Sequence, residues 1–267
     1  MNPKQIKQEF LSLLKSMEHS RSLHRAFSDW LEIAAISFHQ LPYHSQDLPK
    51  DEAFHVLESQ YLERIKPYTP EELTMFAKLM GLISMVHHGH FSDFLGEVAG
   101  ECRLLNKHGG QFFTPYHLCK AIAKMTFFDV RSLVEEKGLI TVNEPACGAG
   151  ALVIAGAEEI HHQGIDPRSC AQFDCTDVSR DAFNMAYIQL SALGLQAVVR
   201  HGNTLSMEMW ESRPTPQLRL FNQWLESHQR THQMVQAMRS LLASQELAQS
   251  IAPVEPDVVL NRQLSLF

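Results

Sequence analysis

Leu139-Ile140-Thr141-Val142-Asn143-Glu144-Pro145-Ala146-Cys147-Gly148-Ala149-Gly150, continued by Ala151-Leu152-Val153-Ile154-Ala155-Gly156-Ala157, is the stretch on which the fold turns. The apolar run from Leu139 to Val142 reads as a strand and the small-residue run from Ala151 as a helix, with a tight loop between them. Gly148 and Gly150 let the backbone turn sharply and let a ligand approach it without a Cβ in the way. The first turn of the following helix presents unpaired N–H groups to polar ligand atoms. Strand, glycine loop and helix in this order imply a nucleotide-like ligand.

The flanks strengthen that reading. Downstream, Ala171-Gln172-Phe173-Asp174-Cys175-Thr176 reads as a second strand ending on Asp177, about where nucleotide-binding βαβ units place a carboxylate for ribose hydroxyls. A helix through Asp181–Leu190 follows, closed by Gly194 as a C-cap. A third apolar run, Ala197-Val198-Val199, leads into His201-Gly202-Asn203-Thr204-Leu205. Upstream stands Gly110-Gln111-Phe112-Phe113-Thr114-Pro115, before a helix expected from Tyr116 to Phe128.

In this order the segments resemble the adenine-specific DNA methyltransferases that use S-adenosylmethionine, particularly the modification subunits of type I restriction systems and their free-standing relatives. The resemblance covers roughly residues 100 to 205 and rests on the pairing of GQFFTP (110–115) with NEPACGAG (143–150). It implies an α/β, Rossmann-like methyltransferase core behind an N-terminal helical domain. It also implies S-adenosylmethionine as cofactor and DNA as substrate. By the same resemblance Gln111, Phe112, Phe113, Thr114 and Pro115 lie against the methionine end, with Thr114 near its carboxylate. Glu144, Ala146, Gly148 and Gly150 approach the amino-acid and ribose portions, and the choice between Asn143 and Glu144 as the polar contact stays open. Asp177 accepts from both ribose hydroxyls. Asn203, beside Thr204, stands where relatives usually carry aspartate, and its amide oxygen can accept from the adenine amine.

One family feature is missing. Adenine methyltransferases of this class carry Asn-Pro-Pro-Phe or Asp-Pro-Pro-Tyr after the fourth strand, whose side-chain oxygen and a backbone carbonyl hold the exocyclic amine while the aromatic ring stacks on the flipped base. No such tetrapeptide occurs here. Arg213-Pro214-Thr215-Pro216 lacks the amide and the aromatic; Asp257-Val258-Val259-Leu260-Asn261-Arg262-Gln263 lacks both prolines. The catalytic residues are therefore unassigned, and a catalytically inactive, cofactor-binding or regulatory protein is the alternative function. Too few residues follow Leu205 for a full seven-stranded sheet, so the core is expected to be truncated or rebuilt. An amphipathic helix is expected through Leu220, Phe221, Trp224, Leu225, Met234, Val235, Met238, Leu241 and Leu242.

Residues 1–108 read as a helical front domain. Leu11, Leu14, Leu23, Phe27, Trp30, Leu31, Ala34 and Ala35 recur at helical spacing, and Pro42 and Pro49 are expected to bound a connector. Thr69-Pro70-Glu71-Glu72 is a helix start with proline in the first turn and acids behind it. His87-His88-Gly89-His90 reads as the polar end of that helix rather than a metal site, because no Cys or carboxylate is grouped with it. Gly109-Gly110 marks the boundary with the cofactor-binding core at 109–212. The helical segment at 213–250 and an extended tail at 251–267 complete the expected organisation.

A formal charge of −7 over 267 residues argues against a protein that holds nucleic acid by bulk electrostatics, so DNA contact must be local or supplied by a partner such as a specificity or modification subunit. Lys4, Lys7, Lys15, Arg21 and Arg25 read as a solvated helix face. Five irregularly placed cysteines, no signal-like core in MNPKQIKQEF and no membrane-length apolar run point to a cytoplasmic protein without a membrane partner. The chain closes on Gln263-Leu264-Ser265-Leu266-Phe267, after the Pro-containing segment Ile251–Pro256. That pentapeptide matches the consensus by which bacterial replication and repair proteins bind the DNA polymerase sliding clamp: a glutamine amide sets orientation and Leu264, Leu266 and Phe267 fill an apolar pocket.

Overall fold

Helices come first because residues 2–104 carry apolar side chains at three- and four-residue spacing behind well-formed caps. The computed structural model describes residues 2–17, 22–104 and 113–250, with side chains described to residue 240. In the front half α1 spans Pro3–Ser16, α2 Leu23–His44, α3 Glu52–Ile65, α4 Pro70–His87 and α5 Phe94–Glu101. Asn2 and Gln5 cap α1 reciprocally, as Thr69 and Glu72 cap α4. Ile6, Phe10 and Leu14 bury one face of α1, and Phe10 meets the edges of Trp30 and Phe94 at 5.2 Å between ring centroids. The fully buried Trp30 indole donates to the carbonyl of Phe76, joining α2 to α4.

Pro42 does not end α2; it lies inside the last turn, and the helix continues to His44. Proline there removes one backbone donor near the helix end, while the turn still closes through Ser45 N–H to Leu41 O at 2.9 Å. His87 is the last residue of α4, as expected of the histidine run, but it is buried rather than solvated. Among the described residues no group of three or more His, Cys, Asp and Glu side chains is placed to hold a metal.

The second half alternates strand and helix: α6 (Tyr116–Thr126), α7 (Val130–Lys137), β1 (Ile140–Glu144), α8 (Ala151–His162), α9 (Pro167–Cys170), β2 (Ala171–Asp177), α10 (Arg180–Ala192), β3 (Gln196–Asn203), β4 (Glu208–Pro214) and α11 (Pro216–Ser250). The sheet runs β1-β2-β3-β4. β1, β2 and β3 are parallel, with Val142 beside Phe173 and Phe173 beside Ala197, whereas β4 returns antiparallel on β3. Parallel pairing through α8 and α10 is the Rossmann-like half-unit expected, and it brings the ends of β1, β2 and β3 to one edge. β1 and β4 are the two outer strands of the sheet among the described residues.

β4 is an addition to the sequence-based reading. Its residues are mostly exposed, so it carries no alternating apolar signal. Gly202 lets it close on β3, since a Cβ there would fall 2.5 Å from the carbonyl oxygen of Glu208. Arg213-Pro214-Thr215-Pro216 is the end of β4 and the start of α11. Arg213 pairs in register with Val199, four residues short of the end of β3, and its buried guanidinium stacks over Phe183 and Tyr187. That segment therefore does not stand at the carboxyl edge.

Among the described residues, those up to Phe221 form one compact unit and those from Asn222 onward a second. Within the first, a single apolar cluster includes Phe10, Trp30, Leu79 and Leu95 of the helical front together with Ile154, Phe173, Tyr187 and Val199 around the sheet. Polar ties cross the same seam: Ser28 donates to Asp181 at 2.6 Å, and His39 Nδ1 lies 3.0 Å from the Tyr187 hydroxyl. The boundary expected at Gly109-Gly110 lies outside the described residues. In the second unit the expected helix is present, with Trp224, Met234 and Met238 exposed. No helix of the described residues is long and apolar enough to cross a membrane.

Candidate functional site

The loop between β1 and α8 is built on two left-handed glycines, Gly148 at φ +56° and Gly150 at φ +94°. A Cβ at Gly148 would lie 3.1 Å from the Phe113 ring, so the bare glycine is what allows Phe113 to sit on the loop. A Cβ at Gly150 would lie 3.6 Å from Ala186, so α10 presses on the loop from another side. The backbone closes on itself through Gly150 N–H to Cys147 O at 2.8 Å and is tied to β2 through Cys147 N–H to Thr176 O at 2.9 Å.

Three polar side chains stand at or next to the carboxyl ends of the parallel strands. Glu144, at the end of β1, accepts from the Ala146 N–H at 3.2 Å. Asp177, at the end of β2, accepts from Gly148 N–H through one oxygen and from Ser179 N–H through the other, both at 2.8 Å. A carboxylate has about four lone-pair sites, so acceptor capacity is left over for a ligand hydroxyl. Asn203, at the end of β3, turns its amide oxygen onto the N–H groups of Leu205 and Ser206 at 3.0 and 3.4 Å. The group it has left to offer is therefore its NH2, a donor, where the sequence suggested an acceptor. Thr204 donates to Pro145 O at 2.7 Å and joins the loop after β3 to the glycine loop.

Phe113, Glu144, Ala146, Gly148, Gly150, Asp177, Asn203 and Thr204 thus belong to one connected edge of the sheet. Thr114 and Pro115 are exposed; the Cys119 thiol reaches Thr114 O at 3.7 Å, and Pro115 precedes α6. Gln111, Phe112 and Gln263–Phe267 lie outside the described residues, as does Asp257–Gln263. Cys147 is buried within the loop, and burial, with Cys175, Asp177 and Glu144 nearby, pushes its thiol well above the ordinary range. That disfavours the thiolate, the form in which a cysteine acts as a nucleophile.

Sequence reasoning missed two residues that brace this loop. The Gln189 carboxamide, fully buried on α10, donates to Ala149 O at 2.8 Å and to Asp93 at 3.0 Å. It also accepts from Leu95 N–H at 2.9 Å. Asp93 caps α5 by accepting from Gly96 N–H at 3.1 Å. An acid three residues before a glycine at a helix start was a readable signal for Asp93; a glutamine inside an apolar helix face announces nothing about its partners.

A family model described as N-6 DNA Methylase matches residues 94–230, more than half of the chain. Among solved structures the chain is similar to the type I restriction-modification system methyltransferase subunit from Streptococcus thermophilus, at 13% identity and a TM-score of 0.38. That alignment covers 79% of this chain and 60% of the other, so this chain spans under two thirds of that protein's length. No curated protein matches the chain.

Proposed function

We propose, from the premise that this chain belongs to the N-6 DNA methylase family, that the edge around Gly148 binds S-adenosylmethionine and that the protein methylates the exocyclic amine of adenine in DNA. The observation that carries this reading is the seating of Phe113 on Gly148, which sets one aromatic ring of the GQFFTP motif against the glycine loop. When bound, the cofactor supplies an electrophilic methyl group on a sulfonium. The residues present suit it: Phe113 offers an aromatic wall to positive charge, and Glu144 a carboxylate to an ammonium. Thr114 offers a hydroxyl to a carboxylate. The N–H groups of the glycine loop and the first turn of α8 offer donors, while Asp177 keeps acceptor capacity for ribose hydroxyls. Asn203 offers its amide NH2 to a ring nitrogen of adenine. The protein's part in the reaction is to orient donor and acceptor in line and to exclude water, with no covalent intermediate on the chain. Gln111 and Phe112 complete the methionine side of the same proposal.

A second reading is favoured by one observation: the sequence has no Asn/Asp-Pro-Pro-aromatic segment, and Arg213–Pro216 is committed to packing. In that reading the core binds cofactor and acts as a regulatory protein at the sliding clamp, through Gln263–Phe267, or beside a larger modification enzyme. Transfer of a labelled methyl group to unmethylated DNA, with cofactor binding measured by calorimetry alongside, separates the two. Binding with no transfer to any DNA retires the enzymatic reading; loss of clamp binding on deleting Gln263–Phe267 is the result expected if the tail docks there, and unchanged affinity removes that part.

A further inference from the structure

The glycine loop has a weakness built into it. Turning over the peptide plane that joins Ala149 to Gly150 changes ψ at Ala149 and φ at Gly150, and Gly150, at φ +94°, accepts either sign of φ with little local resistance. Turning it would swing the Gly150 N–H off Cys147 O and point the Ala149 carbonyl away from α10. Something outside the loop has to hold that carbonyl.

We propose that Gln189 is the positioning residue of the cofactor loop: its carboxamide clamps Ala149 O and fixes the loop to the start of α5 in the helical front. The proposal rests on the cofactor reading given above. Gln189 is placed for this by its neighbours on α10, Ala186 and Leu190, which lie 3.6 and 3.8 Å from where a Gly150 Cβ would be and set the distance between helix and loop. Its two amide protons go to Ala149 O and Asp93 Oδ1, and its oxygen takes the Leu95 N–H, one of the unpaired donors of the first turn of α5. Asp93 is held for its share by capping Gly96, where a Cβ would fall 2.1 Å from the carboxylate, so a side chain at that position would have to displace Asp93 from the network. Carboxamide, carboxylate and loop carbonyl are all buried, so no water replaces a bond that is lost. Gln189 touches no reacting atom in this scheme. It decides which way the loop's groups face.

Gln189→Met keeps the length of the side chain and removes all three bonds; Gln189→Glu keeps an acceptor for Leu95 N–H and removes the donor to Ala149. Thr215→Val serves as the control, because Thr215 is fully buried and bonded to β3 but does not contact the loop. Two readouts are taken on the full chain: hydrogen exchange of residues 144–156 without cofactor, and S-adenosylmethionine affinity by calorimetry. The expected result is faster loop exchange and affinity weaker by about tenfold or more, the loss of one buried hydrogen bond, in both Gln189 variants and not in Thr215→Val. Should Gln189→Met fail to fold, Gln189→Glu decides by the same readouts. Wild-type exchange and affinity in the Gln189 variants, or equal losses in Thr215→Val, overturn the proposal. A wild-type chain that binds no S-adenosylmethionine sinks the cofactor reading instead, while the exchange comparison still decides whether Gln189 holds the loop.

Discussion

At the scale of single residues the loop depends on what glycine lacks. Gly148→Ala puts an L side chain at φ +56°, which costs about 1–2 kcal/mol, and drives a methyl group to 3.1 Å from Phe113. We expect a melting point several degrees lower and a larger proportional loss in S-adenosylmethionine affinity; a variant that binds as wild type would mean Phe113 and Gly148 do not form the cofactor wall. Asp177→Ala removes the acceptor for Gly148 and Ser179 together. Hydrogen bonds to a charged group are worth about 1.5–3 kcal/mol each, so a urea midpoint clearly below wild type is the expected outcome. Gly148, Gly150 and Asp177 were legible in the sequence because their conformations and charge follow from residue type. The use of the Asn203 oxygen within its own turn was not, because an asparagine at a strand end serves a ligand or its own backbone equally well.

At the scale of elements, β1, β2, β3 and α10 could be read in advance from apolar runs and caps, and β4 could not. An edge strand with Glu208, Met209, Trp210 and Ser212 exposed buries little, so its register comes from what surrounds it: the close approach at Gly202 and the stitch at Thr215. Thr215 takes the Ala197 N–H at 3.1 Å and gives its hydroxyl to Leu195 O at 2.7 Å, both in the buried interior. Thr215→Val keeps the shape and strands a donor and an acceptor, at about 1–3 kcal/mol for each group left unpaired. Chemical denaturation should show that loss with cofactor affinity unchanged. Gly156 on α8 is a second close approach, since a Cβ there would meet the Phe127 ring at 2.8 Å. Gly156→Ala should lower stability by displacing that ring, and a melting point at or above wild type would show that the ring gives way freely.

At the scale of the whole molecule, helical front and sheet share one apolar cluster, and two histidines are sealed in the first unit. Burial lowers His39 to about 3 and His87 to about 4 from an ordinary 6.5. Between those values and 6.5 the unfolded chain binds protons that the folded chain refuses, so stability falls as the pH drops below 6.5 and levels off, for these groups, near 3 to 4. Asp93, raised by burial, acts in the opposite sense over its own interval. A urea midpoint lower at pH 5.5 than at pH 7 is predicted, and an unchanged or higher one would contradict the burial of the two rings. The central claim remains the single wall formed by Phe113 and the glycine loop. Titrating S-adenosylmethionine into the full chain and into Gly148→Val by calorimetry tests it most directly: one site per chain in the first and none detectable in the second is the predicted result. Absence of binding to the wild-type chain, or equal binding to both, would contradict it.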